Sequence, residues 1–421
     1  MISSGESICS KCKGRLWCGK AACPMLTKFY SLQRTLPLLD TEMEGSSPPG
    51  VFIGRSGYPK VIIGPLIPPQ LGDTTILDTP ELWVGHSITD ICNFRFSLVR
   101  GKIVADVKSA ATIDTGGAVK NERLITATRE LALASNPADV DAVFDKRPSG
   151  RFVGGDEVQP FGPSAPIAKF DVTSLKIDRK IDRVHSDTDM KAVDAVLDLY
   201  NKGVLISRIQ KAFSVGALGI GKRRRFVPTR WSITAVDDTI GKSLIQKTKT
   251  YPIINEFRVY EHEQLDNRWI VMMLPREWCF ELIEAWYPGT LWNPSARIEI
   301  FGDHEFFDGR KEYAEIGGCY YASRMAVNEL LNAERRQAGV CVWREAHPGY
   351  IMPVGVWNVR EAVRAAVKKE PSKFATLDEA LQYISKKFDI PLKRWIETST
   401  IVKDTMRQRK LSDFVRLKQC K

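Results

Sequence analysis

Hydrophobic and polar positions follow two periods along the chain, and the shorter period predicts β-strands bounded by Gly and Pro. Apolar runs at 51–53 and 61–63 flank the residues GRSGYP and predict a hairpin with a glycine-rich tip. A second hairpin is predicted from 256–263 and 268–274, followed by a strand at 296–301. Strands are therefore expected in both halves of the chain.

The longer period, with apolar residues three or four positions apart, predicts helices between and after these strands. Asp189 is placed to cap one helix and Gly203 to end it, and Thr376 with Glu379 forms a capping box before another. The predicted helices cover 122–135, 189–201, 319–337 with Gly339 as its stop, and the residues after Thr376. Strands and helices alternate irregularly, without βαβ units or repeats, so we predict an α+β fold with a single large mixed core.

The composition is that of a folded protein without membrane segments. The 421 residues are 43% hydrophobic and 26% charged, which excludes a disordered chain and a disulfide scaffold. No apolar run reaches the length of about 18 residues that a spanning helix needs, and the first ten residues lack the apolar core of a signal peptide. We therefore expect a soluble, cytoplasmic protein with no membrane partner.

The positive charge is concentrated at the two ends of the chain. Of a formal net charge of +11, residues 1–30 contribute +4 and residues 403–421 contribute +5. The long segment between them is close to neutral. This distribution favours a polyanionic partner that contacts the periphery of the protein.

Four of the nine cysteines lie within fifteen residues of one another near the N-terminus. Their spacing, CxxC followed by CxxxxC, is typical of a structural zinc knuckle, because zinc takes four thiolates in a tetrahedron. The predicted zinc ligands are Cys9, Cys12, Cys18 and Cys23. A redox dithiol or a pair of small disulfides is the alternative.

The segment GALGIGKRRRFVPTRWSITAVDD, which begins at Gly216, combines glycines, cations and an aromatic residue. Gly216, Gly221 and Lys222 have the spacing of a phosphate-binding P-loop, but Arg223 stands where a Mg²⁺-binding Ser or Thr is required. This departure disfavours a P-loop NTPase. Consecutive cations near Trp231 can still hold phosphate and stack on a base. A solvated basic loop followed by a strand and an acidic turn is the alternative.

Two further stretches have features suited to a nucleotide or nucleic acid. GRSGYP offers backbone N–H groups, a hydroxyl and an aromatic ring, although a plain hairpin turn also explains it. The helix that opens at Gly317 and Gly318 can receive an anion on its first N–H groups, although helix packing explains its apolar residues. The candidate nucleotide-binding or nucleic-acid-binding residues are Ser56, Gly57, Tyr58, Arg223, Arg224, Arg225, Thr229, Arg230, Trp231 and Arg324.

Acidic residues and histidines near these stretches are candidates for catalysis. The adjacent Asp237 and Asp238 follow the basic segment, as Mg²⁺-assisted phosphoryl or nucleotidyl transfer would need. Turn or capping roles are the alternatives for the other candidates, which could act as acid and base or as metal ligands. These other candidates are His185 and Asp187 in HSDTDM, and Glu345 and His347 in WREAHPGY.

The C-terminal tail carries the pattern of glutamine, aliphatic and aromatic residues that resembles the PIP box, the peptide that docks on the sliding clamp PCNA. Gln408, Leu411 and Phe414 match that motif, and Val415 replaces its usual second aromatic residue. A short turn of helix would present the apolar residues as plugs for a groove on the clamp. An amphipathic last helix docked on its own core is the alternative.

Several of these segments together resemble the archaeal Nre family of DNA repair proteins. The resemblance rests on the cysteine cluster, SGYPKVIIGPL, FGPSAPI, VPTRWSITAVDD, GGCYYASR, REAHPGYIMPVGVWN and the terminal QRKLSDFV. It spans nearly the whole chain. It implies a nucleoid-associated protein that repairs damaged DNA through PCNA and has a zinc-binding N-terminus.

The predicted organisation is therefore a zinc knuckle at 1–28, an α+β core with a nucleotide or nucleic-acid pocket at 29–402, and a flexible PIP-box tail at 403–421. Two functions remain open. The protein either binds DNA and PCNA without chemistry of its own, or its core is a hydrolase that removes a phosphate-linked adduct such as ADP-ribose from DNA. The second function would use Mg²⁺ and bind a nucleotide ligand.

Overall fold

The computed structural model describes residues 12, 14–17, 22–150, 162–288, 290, 292–293 and 295–407. The chain divides into two compact units. The first contains the residues up to Ser243 together with Ile351–Asn358, and the second contains Leu244–Tyr350 and the residues from Val359 onward. The predicted α+β class is confirmed, but the sheets are two where the sequence predicted one mixed core. Within the described residues, no helix is both long enough and apolar enough to cross a bilayer.

The first unit is built on a six-stranded sheet with the order β1-β5-β6-β4-β3-β2. Its neighbours are antiparallel except for the pair β4 and β6. The hairpin predicted around GRSGYP is present, with Ile53 opposite Ile63. The strands are β1 (Glu42–Ser47), β2 (Val51–Ile53), β3 (Lys60–Ile67), β4 (Val99–Asp106), β5 (Ala138–Phe144) and β6 (Ser164–Val172).

Side chains that accept backbone N–H groups lie near the starts of two helices of the first unit. Ser87 and Asp90 form a capping box at the start of α2. Asp189 does not cap α6 as predicted; the helix begins later, and Asp187 accepts the N–H groups of Asp189 and Met190 instead. The helices are α1 (Pro24–Thr35), α2 (Ile88–Phe96), α3 (Ser109–Asp114), α4 (Glu122–Leu133), α5 (Arg179–Ser186), α6 (Ala192–Asn201), α7 (Ile206–Ser214) and α8 (Thr229–Thr248), of which the residues up to Ser243 belong to this unit, with 3-10 turns at Leu36–Leu38, Thr75–Asp78, Pro80–Leu82 and Gly221–Arg223.

The second unit also has a six-stranded sheet, in the order β10-β9-β11-β8-β7-β12, and its one parallel pair is β11 and β9. The second predicted hairpin is confirmed as β7 and β8. The strands are β7 (Phe257–Gln264), β8 (Asn267–Leu274), β9 (Cys279–Trp286), β10 (Glu299–Glu305), β11 (Gly339–Ala346) and β12 (Ser372–Phe374).

Both faces of this second sheet are covered, as alternate residues of β8 show. Trp269, Val271 and Met273 belong to one apolar cluster, whereas Ile270, Met272 and Leu274 belong to another. Because neighbouring residues of a strand point to opposite faces, the sheet is buried on both sides. The helices of the unit are α9 (Gly318–Glu334), α10 (Trp357–Val367), α11 (Leu377–Ile384), α12 (Leu392–Thr398) and α13 (Thr400–Arg407).

Three helix ends in the second unit follow from identifiable contacts. The predicted capping box of Thr376 and Glu379 is present at α11. Helix α9 ends at Arg335, which adopts a positive φ of 53°, and not at Gly339, which opens β11. Glu281 on β9 accepts the first N–H groups of α13, which ties the start of this helix to the sheet.

Candidate functional site

The turn between β2 and β3 lies beside the start of α8, although the two segments are far apart in the sequence. The Ile53 N–H donates to Thr229 Oγ1 at 2.9 Å, across 176 positions of the chain. The rings of Tyr58 and Trp231 are in contact, with centroids 5.2 Å apart and 54° between their planes. Their exposed fractions are 54% and 44%. We name this exposed ring pair, Tyr58 and Trp231, the aromatic surface.

Backbone hydrogen bonds hold the two sides of the aromatic surface together. Val107, just after β4, donates its N–H to the carbonyl of Pro59 and accepts the N–H of Phe226 on its own carbonyl, at 3.0 and 2.9 Å. Gly57 supplies the positive φ of 84° that the turn requires. The aromatic surface is therefore fixed by the end of β4, which lies between its two halves.

Cations surround the aromatic surface in the sequence without any acidic residue among them. Segments 51–67 and 222–231 contain no Asp or Glu. Lys60, Lys222, Arg223 and Arg230 are exposed, and so are Ser56 and Gly57 in the turn. The two segments that supply the rings thus also supply exposed cations, of which Lys60 lies opposite Asp106 in the sheet register. This combination of rings and cations suits an anionic ligand with aromatic groups.

Arg224 and Arg225 differ from Arg223 in what they contact. Arg224 is 3% exposed and donates to the carbonyls of Gly219 and His185 and to the Asp114 carboxylate. Arg225 is half-buried and donates to the Arg224 carbonyl. These hydrogen bonds commit Arg224 to the interior of the first unit, so the exposed part of the basic segment is Lys222 and Arg223.

His185 belongs to the same interior network, whereas the Asp187 side chain is exposed. His185 Nδ1 lies 3.1 Å from both the Ala217 carbonyl and Arg224 Nη1, and burial lowers the pKa of this imidazole. Asp187 accepts two backbone N–H groups in its own loop. Both side chains therefore organise the loop before α6.

Asp237 and Asp238 lie within helix α8, whereas the alternative interpretation of the sequence placed them in an acidic turn after a strand. Asp237 is fully buried and accepts from Gln210 Nε2 at 3.0 Å. Asp238 forms an ion pair with Lys242 one turn ahead at 2.7 Å. Consecutive helical residues project about 100° apart. The structure thus separates the two carboxylates that a shared Mg²⁺ would need.

The segments GGCYYASR and REAHPGY meet at Glu284 in the second unit. The Glu284 carboxylate accepts from Arg344 Nη1 at 2.9 Å and from Trp286 Nε1 at 3.1 Å, and the Cys319 thiol also hydrogen-bonds to it. Burial and the charge of Glu284 raise the pKa of that thiol. The Arg344 guanidinium lies 4.7 to 5.1 Å from the ring centres of Trp269, Trp286 and Tyr350.

Arg324 lies in a second buried ion pair of this unit. It is 1% exposed and donates to Glu305 at 2.7 Å, and the Tyr320 hydroxyl donates to the same carboxylate. Burial raises the pKa of Tyr320 well above its usual range, so its hydroxyl stays protonated. Arg324 therefore holds the interior together, whereas the sequence suggested it as a ligand-binding residue.

Glu345 and His347 lie at the end of β11 and are joined by a residue that the sequence reasoning missed. His347 Nε2 is 3.2 Å from Glu345 Oε2, and one ligand atom from each of Glu345, His347 and Asp389 lies within 4.8 Å of the others. Burial and the charges of Glu345 and Asp389 raise the pKa of the neighbouring Tyr287 to about 12. Asp389 follows a phenylalanine in an unremarkable turn, so no local pattern could have identified it.

The two terminal predictions fall largely outside the described residues. Of the predicted zinc ligands, Cys9 and Cys18 lie outside, while Cys12 and Cys23 are described with free thiols. Cys12 is buried and its Sγ accepts the N–H of Trp17 at 3.3 Å. The whole predicted PIP motif, Gln408 to Val415, also lies outside the described residues.

Two family models cover most of the chain. The N-terminal model of the archaeal Nre proteins matches residues 17–293, and the C-terminal model matches residues 305–414. The chain belongs to the archaeal Nre family. This confirms the resemblance on which the sequence analysis relied.

Curated relatives of this Nre chain are named DNA repair proteins. NreB of Archaeoglobus fulgidus is 40% identical over 97% of this chain and all of its own length. NreA of the same organism is 36% identical, over 90% of this chain and 94% of its own. NreA of Haloferax volcanii is 34% identical over 83% of each chain. No solved structure matches this Nre chain.

Proposed function

We propose that this chain is a DNA repair protein that binds unstacked bases of DNA on its aromatic surface and is held at the sliding clamp PCNA by its C-terminal PIP motif. The contact between Tyr58 and Trp231 carries the DNA-binding part of the proposal. The names of the relatives support the repair role. The PIP motif supports the tethering role through Gln408, Leu411 and Phe414.

The geometry of the aromatic surface favours single-stranded or locally opened DNA. The rings of Tyr58 and Trp231 are inclined by 54°, so each leaves part of its face uncovered by the other. Every base has a π-face, and base stacking on an aromatic side chain contributes about 1–3 kcal/mol without requiring a particular sequence. Bases within an intact duplex are already stacked and cannot use these rings.

Exposed cations beside the aromatic surface would neutralise the phosphates of the bound strand. Arg223 and Arg230 are suited to this because both are exposed and lie in a segment without acids. Phosphate neutralisation releases counterions, so the affinity should fall as the salt concentration rises. The proposed zinc knuckle of Cys9, Cys12, Cys18 and Cys23 would stabilise the N-terminal residues, which are also basic.

A hydrolase that removes a phosphate-linked adduct from DNA receives less support. Its Mg²⁺ site would have used Asp237 and Asp238, of which the first is buried and the second is paired with Lys242. The proposal for the first unit is therefore DNA binding, with no chemical step assigned to it.

The DNA-binding proposal is tested by fluorescence anisotropy with a labelled single-stranded oligonucleotide. Trp231→Ala and Tyr58→Ala should each weaken binding about 5- to 150-fold, which corresponds to the loss of one stacked base. Trp292→Ala is the matched control, because Trp292 is 49% exposed and lies in the second unit. Unchanged affinity in Trp231→Ala would refute the assignment.

The PCNA proposal is tested by titrating PCNA with the full chain. Replacing Leu411 and Phe414 together by Ala should abolish binding, whereas Leu417→Ala in the same tail should not. Equal affinity of the double variant and the parent would reject the tail assignment.

Metal analysis of protein purified without chelator should separately return about one zinc per chain, and none after Cys9→Ser.

A further inference from the structure

Glu345, His347 and Asp389 form a cluster of three side chains that can ligate a metal, and we name them the β11 triad. Glu345 is on β11, His347 follows it by two residues, and Asp389 precedes α12. One ligand atom from each lies within 4.8 Å of the other two. Atoms that bind one ion at about 2.0–2.2 Å are at most about 4.4 Å apart, so a small rotation of the exposed Asp389 closes the set.

Neighbouring groups orient the Glu345 carboxylate. The backbone N–H of Ile390 donates to Glu345 Oε1 at 2.8 Å, and that of Asp389 donates to Oε2 at 3.2 Å. Because Glu345 is fully buried, these bonds hold its carboxylate in one orientation, with Oε2 3.2 Å from His347 Nε2. An oriented, hydrogen-bonded carboxylate is the arrangement that supports metal ligands in proteins.

The imidazole of His347 is also held in place. Its ring stacks on Tyr287, with centroids 4.5 Å apart and 23° between the planes, and its backbone N–H donates to the Asp266 carbonyl. The 3.2 Å separation of His347 Nε2 from Glu345 Oε2 suits two ligands of one ion. A metal would replace the hydrogen bond between these two atoms, with the neutral imidazole binding through Nε2 and carrying its proton on Nδ1.

Arg268 is the cation that now faces the β11 triad, and it satisfies only part of it. Its Nη1 lies 2.6 Å from Asp389 but 3.8 Å from Glu345, and its Nε is 3.2 Å from Glu263 outside the triad. The guanidinium can therefore release Asp389 and remain paired with Glu263. The two carboxylates of the triad and Glu263, set against one arginine, leave a local charge of −2, which a divalent ion would offset.

We propose that the β11 triad binds a divalent transition-metal ion and that Arg268 competes with this ion for Asp389. One imidazole with two carboxylates suits Mn²⁺, whereas the thiolates of the cysteine cluster suit zinc. Three protein ligands leave coordination positions for water or for an oxygen of a phosphate. The site is distinct from the cysteine cluster and from the aromatic surface, and it goes beyond the proposed DNA-binding function.

Titration of the full chain with Mn²⁺, followed by the loss of the free Mn²⁺ signal in electron paramagnetic resonance, tests the proposal. Mn²⁺ is a hard ion that does not seek thiolates, so the cysteine cluster does not interfere. Wild-type protein should bind one Mn²⁺. Asp389→Asn and His347→Ala should each weaken binding at least tenfold; the Asp389 side chain is 57% exposed, so its variant should fold normally.

Matched variants separate the β11 triad from other acidic groups. Glu397→Gln, which changes an exposed carboxylate of α12 that is paired with Lys393, should keep the wild-type affinity. Arg268→Gln should raise the affinity several-fold because it removes the competitor. Absence of Mn²⁺ binding by the wild type, equal binding by Asp389→Asn, or no gain in Arg268→Gln would each overturn the proposal.

Discussion

The two units have similar sheets but place their polar residues differently. Each has six strands with a single parallel pair among neighbours. In the first unit, the rings and cations of the candidate site stand exposed at a turn and a helix start. In the second unit, Arg324, which the sequence analysis singled out, is buried in an ion pair, and so is Arg344.

This difference separates residues that can meet a large ligand from residues that hold the fold. An exposed ring is removed at little cost to folding, whereas one partner of a buried pair cannot be removed without leaving an uncompensated charge. The β11 triad is intermediate, because Glu345 is buried while Asp389 is exposed. Four predictions test the comparison.

The largest difference in the free energy of unfolding is expected between the alanine variants of two tryptophans. Trp395 is fully buried and stacks on Trp343 and Phe388, with centroid distances of 5.4 and 4.7 Å. Trp395→Ala should lower the free energy of unfolding by about 3–5 kcal/mol. Trp231→Ala should lower it by less than about 1 kcal/mol. Urea denaturation measures both, and similar losses in the two variants would contradict the assigned roles.

A smaller contrast is expected between two adjacent arginines. Arg224→Ala removes bonds to two carbonyls and to Asp114, and should cost about 2–3 kcal/mol of stability. Arg223→Ala should change stability by less than about 0.5 kcal/mol but should reduce the salt dependence of DNA binding by about one counterion. If Arg223 also proves essential for folding, the division of the basic segment into buried and exposed residues is incorrect.

The capping boxes should behave alike in the two units, because their geometry is the same. Ser87→Ala in the first unit and Thr376→Ala in the second each remove an oxygen that accepts a helix N–H. Each should cost about 1 kcal/mol in chemical denaturation. Hydrogen exchange should locate each loss in its own unit, and a loss shared equally by both units would show that they unfold together.

The smallest expected effect is the contribution of His185 to the pH dependence of stability. Burial lowers the pKa of its imidazole in the folded protein, so the neutral form is favoured there. Its contribution to stability is therefore present above the unfolded pKa of about 6.5 and is lost as the pH falls toward the folded pKa. His185→Gln should unfold with a shallower dependence on pH below neutrality. If the free energy of unfolding of this variant, taken from denaturation curves, depends on pH as steeply as that of the parent, His185 is excluded as a source of the pH dependence.

Much of the fold could be predicted from local patterns. Both hairpins and the capping box of Thr376 and Glu379 are confirmed because each depends on neighbouring residues. The secondary structure of the segment from Thr229 was harder to predict, since its β-branched residues favour a strand locally. Val236, Ile240 and Leu244 are buried at helical spacing, which favours a helix over a strand. This burial depends on tertiary packing, which local propensity does not show.

The candidate sites were predictable as residue types but not as contacts. Tyr58 and Trp231 were both identified, yet their contact depends on Val107 at the end of β4, which carries no motif. Asp389 was missed because it reaches Glu345 only through the folding of the second unit. Arg224 and Arg324 are buried and therefore cannot meet a ligand at the surface, and no sequence pattern distinguished them from the exposed Arg223.

Anchoring of α13 limits how far a partner of the tail can be from the second unit. Ile401 and Val402 are fully buried, and Asp404 is paired with Arg276 at 2.8 Å. In the sequence, Gln408 follows Arg407 directly, so no linker residue separates the proposed PIP motif from the residues of α13. If PCNA binds that motif as proposed, the clamp is tethered to the second unit at a high effective concentration.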